Sequence, residues 1–167
     1  MRATTAGRLG AAALFAGLLL PGAAAADQVR IRIELVTPEG IAATIGTVRA
    51  TDGAQGVTLT PLLKSLAPGP HALGIYEHGE CGPGTIDGKR VAGGAAGGSF
   101  VPEATVLPGA AAAQHHAVQA LVLTVDKDGI ARAPVTVRDV KLMALPGRAL
   151  VIAASDGGER QACGVIP

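Results

Sequence analysis

The sequence predicts an all-β domain, an antiparallel sandwich or barrel of short strands. Three observations point there. Residues 28–36 alternate Val29, Ile31, Ile33 and Leu35 with Arg30, Arg32 and Glu34, the period-two pattern of a half-buried strand. Five further β-prone runs, each six or seven residues long, are separated by turn pairs. No amphipathic helix appears beyond the N-terminal segment.

The elements follow in chain order. Met1 to Arg8 is short and basic, Leu9 to Leu20 is apolar, Pro21-Gly22 breaks the run, and Ala23 to Ala26 are small. That order is the signature of a secretory signal peptide cut near Ala26, and the apolar run is shorter than the ~20 residues a bilayer span needs. Residues 1–26 are therefore expected to be removed, leaving no stable membrane anchor and placing residues 27–167 in the periplasm or outside the cell. The remaining residues, about 141 of 167, suit one domain rather than two. Beyond the first strand, Thr44 to Ala50, Gly56 to Pro61, Ala72 to Glu77, Leu121 to Asp126 and Ala149 to Ala154 are short β-runs. Asp52-Gly53, Pro68-Gly69, Asp128-Gly129 and Pro146-Gly147 supply turns between them. Gly79 to Pro108 is long, rich in Gly and Ala and without periodicity, hence either a functional loop or disordered; Cys81 favours the loop.

Composition narrows the function. Fourteen basic side chains balance 13 acidic ones, so no basic field exists to attract nucleic acid. With no Trp, one Tyr and two Phe, the core must be built from Val, Ile, Leu and Ala. An even cysteine count in an exported chain predicts that Cys81 pairs with Cys163. Gly93 to Gly98 lacks the Lys-Ser/Thr of a phosphate loop, and Ser155-Asp156 has no nucleophile elbow around it.

A family resemblance runs through nearly the whole chain after residue 44. Ile45-Gly-Thr-Val48, Gly56-Val-Thr-Leu-Thr-Pro61, Leu66-Ala-Pro-Gly-Pro-His71 and Glu77-His-Gly-Glu-Cys81 resemble the first half of a bacterial copper/zinc superoxide dismutase. Ala96-Gly-Gly-Ser-Phe-Val-Pro102, Leu123-Thr-Val-Asp-Lys-Asp-Gly129, Gly147-Arg-Ala-Leu-Val151 and Arg160-Gln-Ala-Cys-Gly-Val-Ile166 follow in family order. The resemblance implies an eight-stranded Greek-key β-barrel with its metal site outside the barrel under long loops. It also implies a disulfide between Cys81 and Cys163, a structural role for His71, and an anion-guiding position for Arg160.

The same resemblance implies that most metal ligands are gone. The two copper histidines of one strand fall on Gly74 and Tyr76, the bridging histidine on Ser99, and the fourth copper histidine on Ala153. Counting without gaps from Ser99 puts the zinc positions on Leu107, His116 and Gln119, so only His116 keeps a donor. Structural zinc takes four N, S or O ligands, and copper needs a compact set of imidazoles.

Among other residues, His78 shares strand parity with positions 74 and 76 and is a weak metal candidate, or it sits in solvent once the strand ends at Gly79; His116 is the other weak candidate. His115 and His116 are adjacent, so in an extended segment they point to opposite sides. Arg160 would brace a loop or hold an anion. The leading expectation is a non-catalytic, dismutase-like protein with no cofactor and an altered pocket whose ligand the sequence does not name. One rival is a dismutase that assembles copper, with or without zinc, from His71, His78, His115 and His116. Another is weak copper delivery or sequestration, or a new site from His78, His116 and Glu103. A homodimer is open, since nothing in the strands selects between one subunit and two.

Overall fold

A computed structural model describes residues 27–100 and 121–167. Eight strands form one antiparallel sheet: β1 (Gln28–Thr37), β2 (Gly40–Gly53), β3 (Gly56–Leu63), β4 (Gly69–Tyr76), β7 (Leu121–Val125), β8 (Val135–Arg138), β9 (Ala149–Ala153) and β10 (Arg160–Val165). A separate hairpin, β5 (Gly84–Ile86) and β6 (Lys89–Val91), stands in the long loop after β4. Strand order in the sheet is β7-β4-β9-β10-β1-β2-β3-β8. The chain makes a meander of β1 to β3, crosses to β4 on the far side, and returns to β1 through β10, which is Greek-key connectivity. β7 and β8 end the order and are consecutive in this sheet's chain order, and the paired Leu63 and Ala131 tie their connection to β3, so the sheet nearly closes into a barrel.

Alternation explains the interior. Ile31 and Ile33 of β1, Val48 of β2, Leu59 and Leu63 of β3, Leu73 and Ile75 of β4, Leu123 of β7 and Ile152 of β9 meet in one aliphatic core. β9 departs from alternation, with all five residues buried. Its inner face packs in the barrel, while Ala149 and Val151 pack outward with Val36, Ala92, Ala96 and the Cys81 and Cys163 pair, against which Tyr76 rests. A strand covered on both faces has no polar positions to reveal its period.

The first strand and the runs at 44, 56, 72, 121 and 149 are all found, with shifted ends. The turn expected at Asp52-Gly53 falls at residues 54–55, because Gly53 and Gly56 are the last paired residues of the β2–β3 hairpin. Neither β8 nor β10 was marked by a β-run of its own in the sequence. β8 is four residues long, and in β10 a register shift after Arg160 is followed by Ala162, Cys163 and Gly164, all buried, so the strand has no alternation to read. The segment after β4 is an ordered loop as far as Phe100, and Asp87-Gly88, both at positive φ, makes the tight turn of its hairpin. The Ala110 to Ala113 run lies outside the described residues.

Gly46 is required by close packing of backbone. A Cβ there would stand 2.1 Å from the Leu62 carbonyl oxygen, and φ is +145°. Gly46→Ala is expected to cost about 2 to 4 kcal/mol of unfolding free energy in denaturant titration, since neither strand can move without breaking the β2–β3 ladder.

Candidate functional site

Outward-facing positions of β4 and β9 form the floor of the site. Gly74 pairs with Val151, Ala72 with Ala153 and Tyr76 with Ala149, so the side chains at 74, 76, 151 and 153 share one outer surface. The loop returning from the β5–β6 hairpin adds a short extension to the end of β4. Ser99 bridges to Tyr76, the Glu77 amide donates to the Gly98 carbonyl at 3.0 Å, and the Phe100 amide donates to Ile75 at 2.8 Å. These elements enclose an open cavity of about 170 Å³, lined among others by Gly74, Tyr76, Ser99, Val122, Val151 and Ala153. Positions 74 and 76 of one strand, 99 of the loop and 153 of β9 therefore line one cavity.

Tyr76 and Arg160 dominate this surface. A Cβ on Gly74 would lie 3.0 Å from the Tyr76 ring, so the phenol lies down over the glycine. The Arg160 guanidinium sits over the ring, 4.4 Å from its centroid. Arg160 is 9% exposed and donates from Nη1 to the Gly93 carbonyl at 2.7 Å and from Nη2 to the Gly97 carbonyl at 2.9 Å. Its fork thus holds the loop to β10, the bracing role that the sequence allowed for it. Arg160→Lys cannot span two carbonyls with a planar fork. It is expected to lower stability by about 1 to 3 kcal/mol in chemical denaturation, with amide exchange rising first at residues 93–97.

His71 is buried at 4% exposure, and its Nε2–H donates to the Ala67 carbonyl at 2.7 Å. A carbonyl only accepts, so Nε2 carries a proton, and Nδ1 has no partner among the described residues. The ring ties β4 to the turn that precedes it. His78 is placed differently from the strand-parity expectation. β4 ends at Tyr76, the His78 amide donates to Ala96, and the imidazole lies against Gly97, outside the cavity wall formed by positions 74 and 76. Loss of extended backbone after residue 76 removes the parity on which that expectation stood. His115, His116, Glu103, Leu107 and Gln119 lie outside the described residues.

Cys81 and Cys163 form a disulfide with a Cα–Cα distance of 5.6 Å, pinning the start of the loop to β10. The Tyr76–Arg160 stack was missed by sequence reasoning, although a tyrosine two residues from a glycine on an outward strand face carries a faint sign of it.

The residues gathered here do not fit a copper ion. Position 74 offers hydrogen, 76 a phenol already stacked on Arg160, 99 a hydroxyl and 153 a methyl, where redox copper needs converging imidazoles. Among the described residues, no three His, Cys, Asp or Glu side chains cluster closely enough to hold a metal.

Comparison with known proteins agrees in fold and sequence. Residues 44–166 match the copper/zinc superoxide dismutase (SODC) family. Superoxide dismutase [Cu-Zn] 2 of Salmonella typhimurium is 40% identical over 162 residues, covering 89% of this chain and 93% of its own. Superoxide dismutase [Cu-Zn] of Escherichia coli K12 is 35% identical over 167 residues, covering 92% and 96%. Among solved structures, the Cu/Zn superoxide dismutase from Brucella abortus superposes with a TM-score of 0.73 at 26% identity, covering 84% of this chain and all of that one. The monomeric copper, zinc superoxide dismutase from Salmonella enterica superposes with a TM-score of 0.67 at 36% identity, with the same coverage.

Proposed function

Since the chain belongs to the copper/zinc superoxide dismutase family, we propose that it is an exported, non-catalytic member whose former copper face has become a small binding pocket. One observation carries this reading: Gly74, Tyr76, Ser99 and Ala153 line a single cavity, so the positions aligned with the four copper histidines coincide in space and none bears an imidazole. A shifted or misaligned ligand set would have scattered them.

Superoxide dismutation requires an electron acceptor and donor in one centre, which protein side chains do not supply. The chain's own groups do something else. Arg160 donates to Gly93 and Gly97, and Tyr76 covers Gly74, which leaves a pocket walled largely by Val122, Val151 and Ala153, with Ser99, Ser155 and His71 as its polar lining. Such a wall suits a small, largely apolar ligand with a few polar groups. In this reading residues 1–26 are a cleaved signal peptide, residues 27–167 are one domain, and the protein works in the periplasm or outside the cell. No helix among the described residues is long and apolar enough to cross a membrane.

The test is metal analysis and superoxide consumption of the protein purified from the exported fraction with copper and zinc supplied. Stoichiometric copper with rapid turnover would overturn the proposal. Weak copper binding without turnover, removed by His78→Ala and His116→Ala, would replace it with copper sequestration.

A further inference from the structure

On the side of the barrel away from this pocket, we propose, the protein carries a cationic wall that docks on an anionic phospholipid surface. In the ring of eight strands, β2 is diametrically opposite β4, and β3 is opposite β9. Contact through β1, β2 and β3 therefore leaves the pocket on β4 and β9 facing solvent.

The wall is built from strand parity. Arg30 and Arg32 face outward from β1 about 7 Å apart. Arg49 of β2 is paired directly with Arg30. All three are exposed, and among the described residues none has an ion pair or a side-chain hydrogen bond. Two like charges directly opposite on an antiparallel pair oppose folding, so nothing in the barrel accounts for the arrangement. Residues 28–33, 46–51, 57–63 and 135–138, which make up this part of the wall, contain no carboxylate. That segregation is notable because residues 27–167, without Arg2 and Arg8, carry 12 basic and 13 acidic side chains. Three acids border the wall: Asp27 just before β1, Asp52, which accepts from the Leu142 amide, and Glu34, which follows Arg32 along β1 and accepts from the Thr44 hydroxyl.

Shape and polarity identify the partner. Gln28, Val29, Arg30 and Arg49 border a shallow depression of about 310 Å³, room for a phosphate headgroup between two guanidiniums. Beside it the sheet presents Thr47, Thr60 and Leu62, and Leu62 is 62% exposed on the same outer face. A soluble polyanion has no use for an exposed leucine, whereas a lipid surface takes cations at the headgroups and an apolar side chain just beneath them. The three arginines lie within about one Debye length at physiological salt and so act together.

The protein recovered from the exported fraction is the one to test, with its N-terminus read by mass spectrometry, because an intact Leu9 to Leu20 run would bind lipid by itself. It is sedimented at low salt with phosphatidylcholine vesicles, with and without about a third phosphatidylglycerol. Each arginine near an anionic leaflet contributes about a fivefold gain in partitioning, so Arg30→Gln with Arg49→Gln is expected to weaken binding about 25-fold. The variant should melt no lower than the parent, since it relieves a like-charge pair. Lys89→Gln with Lys127→Gln, an equal charge change elsewhere, should leave binding within about threefold. Leu62→Ser should weaken vesicle binding severalfold without affecting any binding to soluble polyphosphate. Equal binding to neutral and anionic vesicles, equal loss in the Lys89 and Lys127 control, or binding to polyphosphate alone would each overturn the proposal.

Discussion

Supplied with copper and zinc during purification, the protein is expected to carry far less than one copper per chain and to consume superoxide at least about a thousandfold more slowly than a metal-loaded relative assayed alongside. The magnitude follows from the chemistry. Superoxide dismutases are the standard example of enzymes working close to the diffusion limit, and that rate comes from a redox ion held by several nitrogen donors. At the corresponding surface this chain presents Gly74, Tyr76, Ser99 and Ala153. The reciprocal experiment is sharper. Gly74→His, Tyr76→His, Ser99→His and Ala153→His together place four imidazoles around one cavity on a barrel whose strand register already aligns them. The quadruple variant is expected to gain copper binding measurable by titration, with a Cu(II) spectrum that the parent lacks. Restoring position 74 alone should not suffice, because the Tyr76 ring occupies the space beside Gly74 and is held there by Arg160. If the quadruple variant folds and still takes up no copper, these positions are not a vacated copper site.

Replacing both Cys81 and Cys163 by alanine is expected to lower the unfolding free energy by about 4 to 5 kcal/mol, read as a fall in the denaturant midpoint. The bridge spans 82 residues, over half the length that follows residue 27, so its removal restores a large amount of chain entropy to the unfolded state. Native contacts add to the loss. The half-cystines pack with Val36, Ala96, Ala149 and Val151 in the small cluster that seats the loop on the barrel. Loosening should therefore appear first in the loop from Cys81 to Phe100, and the aliphatic core should hold until the global transition. A reduced protein with an unchanged midpoint would show that the loop is held by Arg160 and the Tyr76–Ser99 bridge instead.

The strands that sequence revealed and those it hid differ in a physical way. β1 has a buried face and a wet face, so its alternation is written in residues 28–36. β9 is covered on both sides and β10 carries a register shift, so neither has a polar period to read. The site shows the same division. Positions 74, 76, 99 and 153 were identified by motif order alone, and the barrel brings them to one cavity. For His78 the sequence left both a strand-face position and a solvent position open; β4 ends at Tyr76, and His78 is exposed beside Gly97.

Sequence by itself determined the all-β class, the family and the paired cysteines, because those depend on local pattern and on which atoms each side chain carries. Tertiary structure decided what the replacements do: Tyr76 lies over Gly74, Arg160 caps the ring while holding Gly93 and Gly97, and three arginines gather on the opposite wall. These are contacts between residues tens of positions apart. Their geometry is set by strand register and barrel closure, which no single stretch of chain encodes.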